Sequence, residues 1–96
     1  MRVISKAALR DFWGRHPEAR ASLEAWLNRA RLSEPADFNA LRREFPAADY
    51  VDGLTVFDIG GNNHRLIAAI HYNTQTLYVR AVLTHADYDK DKWERR

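Results

Sequence analysis

The change of period at Leu54 constrains this chain more than any other feature. Before it, apolar residues recur at helical spacing; after it they alternate, in the three runs Leu54–Ile59, His64–Tyr72 and Thr76–Thr84. The runs are separated only by Gly60-Gly61-Asn62-Asn63 and Asn73-Thr74-Gln75. Connections so short join antiparallel neighbours, because a parallel crossover needs about a dozen residues or more. The pattern predicts an antiparallel meander, with glycine and asparagine supplying left-handed backbone in the first turn.

Strand pairing follows from the turns. With Gly61 and Asn62 central in the first, Phe57 faces Leu66 and Asp58 faces Arg65. With Thr74 and Gln75 central in the second, Ala68 faces Ala81, Ala69 faces Arg80 and Arg65 faces Thr84. Strict alternation then puts Phe57, Ile59, Leu66, Ala68, Ile70, Leu77, Val79, Ala81 and Leu83 on a core face. The opposite face collects Val56, Asp58, Arg65, Ile67, Ala69, His71, Tyr78, Arg80, Val82 and Thr84, a mixture suited to holding something.

The N-terminal half supplies the cover. Arg2-Val3-Ile4 reads as a short opening strand, and Ser5 as the N-cap of a helix carrying Leu9, Phe12 and Trp13. Gly14 and His16-Pro17 break it, since a residue before proline avoids helical geometry. Pro17 opens a second helix with Ala19, Leu23, Trp26, Leu27 and Ala30 on its apolar stripe. Helices joined this closely form an antiparallel hairpin. Asp37 caps a third helix that Pro46 stops, and residues 46–53 read as a loop. The fold class is therefore α+β: a single domain over residues 1–96, with an antiparallel sheet of three to four strands covered on one face by an N-terminal helical hairpin.

Composition excludes several chemistries. There is no cysteine, which removes disulfides and thiolate catalysis. No long apolar run or signal-peptide stretch is present, so a cytoplasmic protein without membrane attachment is expected. The net charge is +2, and the basic excess lies in residues 1–48, with nine Lys/Arg against six Asp/Glu. That balance allows a nucleic-acid partner without demanding one. His64, His71 and His85 lack a metal-ligand spacing, so no metal or other cofactor is expected. The glycine-rich turn lacks the Lys-Ser/Thr of a nucleotide-binding loop and leads into a strand.

The end of the last strand holds the chemistry-bearing residues. Arg65 follows the glycine-rich turn and lies beside that strand's exit, where its planar fork can grip a phosphate or pair with Asp58. His85 carries an imidazole, a side chain able to take or give a proton. Tyr88 shares its side if the segment turns helically, and can orient a nucleophile or anchor the C-terminus. Arg80 stands roughly 13 Å along the sheet from Arg65. His71 and Tyr78 flank the far hairpin, where a solvated role is the simpler reading.

Three segments together, Val56-Phe57-Asp58-Ile59-Gly60-Gly61-Asn62, Arg65-Leu66-Ile67-Ala68 and Leu83-Thr84-His85-Ala86-Asp87-Tyr88-Asp89, resemble the HigB family of toxin endoribonucleases, which share the RelE-like fold. The resemblance is strongest over residues 54–93. It implies a metal-independent, ribosome-associated mRNA interferase of a type II toxin–antitoxin system, cutting through attack by the 2′-hydroxyl. It also implies a HigA-like helix-turn-helix antitoxin, with operator DNA reached only through that partner. Carried onto this chain, Arg65, His85 and Tyr88 become the catalytic candidates, and Asn62, Arg80, Lys90 and Lys92 the RNA-binding ones. Two other readings compete: a RelE-like toxin acting on another target, such as DNA gyrase, by binding alone, and a non-enzymatic interaction module.

Overall fold

The computed structural model describes residues 1–61 and 63–89 of the chain. The order is β1 (Arg2–Ile4), α1 (Lys6–Arg15), a 3-10 turn (Pro17–Ala19), α2 (Arg20–Leu32), α3 (Phe38–Glu44), β2 (Asp49–Val51), β3 (Leu54–Ile59), β4 (His64–His71), a second 3-10 turn (Tyr72–Thr74), β5 (Thr76–Thr84) and α4 (His85–Asp89). The sheet runs β1-β5-β4-β3-β2, and β1 lies parallel to β5. The class is the expected α+β, but the sheet is five-stranded and mixed.

The extra edge strand, β2, arises where a loop is expected. Asp52 and Gly53 take φ of 51° and 82°, and Val51 pairs with Leu54 across them. Two left-handed residues match the twist of a two-residue hairpin, and Asp-Gly between apolar residues is its signature. At the opposite edge, Val3 pairs with Leu77 and enters the core.

Helices α1, α2 and α3 lie on one face of the sheet. Leu9 and Phe12 of α1, Leu23, Trp26 and Ala30 of α2, and Leu41 of α3 are buried with Phe45 against Phe57, Ile59, Leu66, Ala68, Leu77 and Val79. Trp26 and Phe45 each meet Phe57 edge-on, at 5.3 and 5.2 Å between ring centroids. Each fully buried Leu or Phe contributes about 1.5–3 kcal/mol, so this layer holds the sheet in place.

The helix ends differ. Asp37 caps α3 as expected, accepting from the Ala40 N–H at 2.9 Å. Ser5 does not cap α1: the abrupt turn out of β1 puts it at φ 77°, away from the extended geometry a capping side chain needs. At the far end of α2, the Met1 ammonium donates to the carbonyls of Ala30, Arg31 and Ser33. A positive charge there complements the negative end of the helix dipole.

The register between β3 and β4 is as expected, with Phe57 opposite Leu66 and Asp58 opposite Arg65. Between β4 and β5 the expectation fails. Ala68 faces Val79, Ala69 faces Tyr78 and Arg65 faces Leu83. The connection is a 3-10 turn ending in left-handed Gln75 rather than a two-residue turn. In addition, the pairing slips between Ile67, opposite Ala81, and Ala68, opposite Val79. Arg80 is the extra residue of a β-bulge, which reverses the parity of β5 beyond it. Val82 therefore joins the core, while Ala81 and Leu83 join Val56 and Ile67 in a second apolar cluster on the open face.

Candidate active site at the sheet corner

The open face ends in a corner where β4 begins, β5 leaves the sheet and α4 starts. Gly60 and Gly61, at φ 63° and 71°, carry β3 into β4. A Cβ on Gly60 would stand 3.3 Å from Ser22 Oγ, so the turn also packs closely against α2. On the other side, the His85 N–H donates to the Asn63 carbonyl at 3.1 Å, fastening the exit of β5 to the same turn. Thr84 caps α4 by accepting from the Asp87 N–H at 3.2 Å. A Thr followed three residues later by an acidic residue is the sequence signal for that cap.

Arg65 stands at the centre of this corner and is only 9% exposed. Its Nε lies 3.1 Å from Asp58 Oδ1, and Nη1 donates to its neighbour's carbonyl, that of His64, at 3.2 Å. The guanidinium carbon lies 5.4 Å from the centre of the Tyr88 ring, within cation–π range. Tyr88 in turn packs on the Val56–Ile67 cluster with Ala81 and Leu83. The bulge thus provides the apolar floor on which the tyrosine that touches Arg65 rests. Alternation alone could not reveal it.

Of the expected catalytic residues, the corner brings Arg65 and Tyr88 into contact and ties His85 to it through backbone. The His85 side chain is 44% exposed, with Nε2 3.4 Å from Asp89 Oδ2. Its Nδ1 is enclosed and has no hydrogen-bond partner among the described residues. Arg80 is exposed at the bulge and does not face Ala69 as expected. Asn62, Lys90 and Lys92 lie outside the described residues.

His64 points to the helical side, as its parity requires. It meets the Phe12 ring edge-on at 5.3 Å and lies 3.6 Å from Glu18, which also reaches His16 at 3.5 Å. No group of three or more His, Cys, Asp or Glu among the described residues is arranged to hold a metal ion. Away from the corner, burial pushes the Tyr72 phenol up; the Thr55 hydroxyl works against that shift, and Asp37 and Tyr50 add to it.

Residues 19–91, which contain the whole corner, match the HigB toxin family, described as the RelE-like toxic component of a toxin–antitoxin system. The chain belongs to the HigB family. The RelE-like class agrees with helices followed by a sheet whose far face stays open. Among HigB proteins, the mRNA interferase toxin HigB of Escherichia coli K12 is 33% identical over 92 residues, covering 93% of this chain and 88% of that protein. The mRNA interferase HigB of Shigella flexneri gives the same figures. The mRNA interferase HigB of Escherichia coli O6:H1 strain CFT073 is 32% identical over 96 residues, covering 94% of this chain and 90% of that protein. The alignment with these HigB proteins therefore spans both the helical layer and the sheet corner. Among the described residues, no helix is long and apolar enough to cross a membrane.

Proposed function

We propose that this HigB-family chain is an mRNA endoribonuclease, the toxin of a type II toxin–antitoxin system, acting in the cytoplasm on mRNA engaged by the ribosome. The observation that carries the reading is a nearly buried arginine, braced by Asp58 and Tyr88, at the end of an open sheet face in a chain matching mRNA interferases over most of its length.

In this reading Arg65 clamps the scissile phosphate. Its fixed charge favours the phosphorane, which carries more negative charge than the ground state. A base at the corner, His85 or Tyr88, takes the proton of the 2′-hydroxyl as the 2′-oxygen bonds to phosphorus. The bond from phosphorus to the 5′-oxygen breaks, and an acid returns a proton to that oxygen. The products are a 2′,3′-cyclic phosphate and a 5′-hydroxyl end, and no metal enters the sequence of steps. In the same reading Arg80, Asn62, Lys90 and Lys92 are the residues that hold RNA, the cations by neutralising phosphate charges. The antitoxin is a HigA-like helix-turn-helix protein that carries the toxin to operator DNA.

The test is expression of the wild type, Arg65→Ala and His85→Ala in a bacterial host, with mRNA 5′ ends mapped genome-wide. New ends inside translated regions are expected for the wild type and not for either variant. Growth arrest without new ends would refute cleavage and favour a toxin that acts by binding alone.

A further inference from the structure

The opposite end of the open face carries a feature the reaction does not use. Tyr78 is exposed there, and its ring meets that of His71 nearly at right angles, 5.3 Å between centroids. The pairings place Ile4 on one side of Tyr78 and Ala69 on the other. Ala69 has only a methyl group, so the side toward β4 is a shallow step. His71 holds the tyrosine from the diagonal position. Leu32 and Tyr50, the other large apolar residues exposed among those described, belong to α2 and to the β2 edge beside Phe38. Tyr78 is therefore an exposed aromatic without a hydrophobic patch around it.

Its surroundings are cationic. Arg2, opposite Thr76, and Arg80, at the bulge, share its face and are exposed. From Ile59 to Ala86 the chain contains no Asp or Glu, although the whole chain has thirteen. Neither strand beside Tyr78 carries a carboxylate, and the first acidic residue of the chain is Asp11. An aromatic face with arginines on two sides and no negative charge on its strands suits a nucleobase whose backbone phosphates pass over the arginines.

We propose that Tyr78, braced by His71 and flanked by Arg2 and Arg80, is a base-stacking subsite for single-stranded RNA. It rests on the nuclease reading and extends that site along the sheet. Ala69 and Arg65 are four residues apart on β4, a span of roughly 13 Å, so the stacked base belongs to a nucleotide near the scissile phosphate but not adjoining it. Stacking is tolerant of base identity, so the subsite sets where along the strand cleavage falls and how tightly RNA is held, rather than reading a letter.

The test uses the intact protein and ribosomes programmed with short mRNAs, each carrying one abasic nucleotide at a different distance from the cleaved bond. For the wild type, removing the base that meets Tyr78 should lower kcat/KM about 5- to 150-fold, chiefly through KM. Tyr78→Phe should behave as wild type. Tyr78→Ala should lose a similar factor on intact mRNA and become indifferent to that abasic position. Tyr78→Leu, which keeps bulk without an aromatic face, should resemble Tyr78→Ala and so separate lost stacking from lost packing. Wild-type kinetics for Tyr78→Ala, or an equal loss at every abasic position, would overturn the subsite while leaving cleavage at Arg65 intact. A Tyr78→Ala protein that cuts normally but escapes its antitoxin would make this patch a protein interface and also overturn the subsite. If the wild type cuts none of these mRNAs, the nuclease reading fails and the subsite fails with it.

Discussion

Asp58→Asn separates the two roles that Arg65 is asked to fill. The Asp58 carboxylate touches Nε of an arginine whose side chain is 11% exposed, and is itself 32% exposed. Hydrogen bonds to charged groups contribute about 1.5–3 kcal/mol, and solvent screening at Asp58 reduces that to an expected loss of about 1–2 kcal/mol. The sign on RNA binding is opposite. A phosphate on the far edge of the guanidinium would lie roughly 7 Å from the carboxylate, where like charges repel by about 0.6 kcal/mol in water and about 2.4 kcal/mol at an effective dielectric near 20. Removing the charge should therefore lower KM for RNA about 3- to 50-fold, most clearly at low ionic strength. Urea unfolding followed by tryptophan fluorescence, with cleavage kinetics at two salt concentrations, measures both quantities. A variant that is less stable and binds RNA more tightly supports the argument. Unchanged stability would show the ion pair to be fully screened. Lost cleavage at full stability would make Asp58 part of the chemistry and refute the reasoning.

Other expectations follow from the same contacts. Gly60→Ala should cost about 1–2 kcal/mol in urea unfolding, because φ of 63° disfavours a Cβ, and Ser22→Ala in the same chain should recover only the steric part. Tyr72 has a phenol pKa above its ordinary value when folded, so the unfolded chain loses that proton first. Its contribution is thus fully present below about pH 10 and is lost as pH rises through the folded value, and Tyr72→Phe should flatten this alkaline fall in melting temperature. His64→Ala removes a buried ring from between Phe12 and Glu18 and should lower stability by about 2 kcal/mol in the same unfolding assay.

The parts of the fold visible in the sequence are those fixed by local rules. Period two after Leu54, the Gly60-Gly61 turn and the Asp37 cap each follow from neighbouring residues, and the Asp58–Arg65 pairing follows from the turn between them. Asp52-Gly53 is equally local, but its two-residue hairpin signal lies so close behind Pro46 that the segment has the composition of a single loop. The slip at Arg80 is different in kind. Nothing in Val79-Arg80-Ala81-Val82 marks it, because valine and alanine fit either face and the arginine is content in solvent. It is settled by tertiary packing, in which Val82 fills the core while Ala81 and Leu83 meet Val56 and Ile67. The same limit applied to the corner. Arg65 and Tyr88 are both legible as candidates from their places in the chain, but the apolar surface of Ala81 and Leu83 on which Tyr88 packs beside Arg65 is set by the bulge.

The slip at Arg80 also governs how this strand can be compared with its relatives. In a saturation mutagenesis profile of β5, the core-facing positions that refuse polar residues should be the odd Leu77 and Val79 and then the even Val82, as if two strands had been spliced. A relative without the additional residue would need a one-residue gap between 79 and 82. Placing that gap past Thr84 instead would exchange inside for outside along the strand's last stretch. The positions carried across to the sheet corner would then be the wrong ones, although the sequence identity would scarcely change.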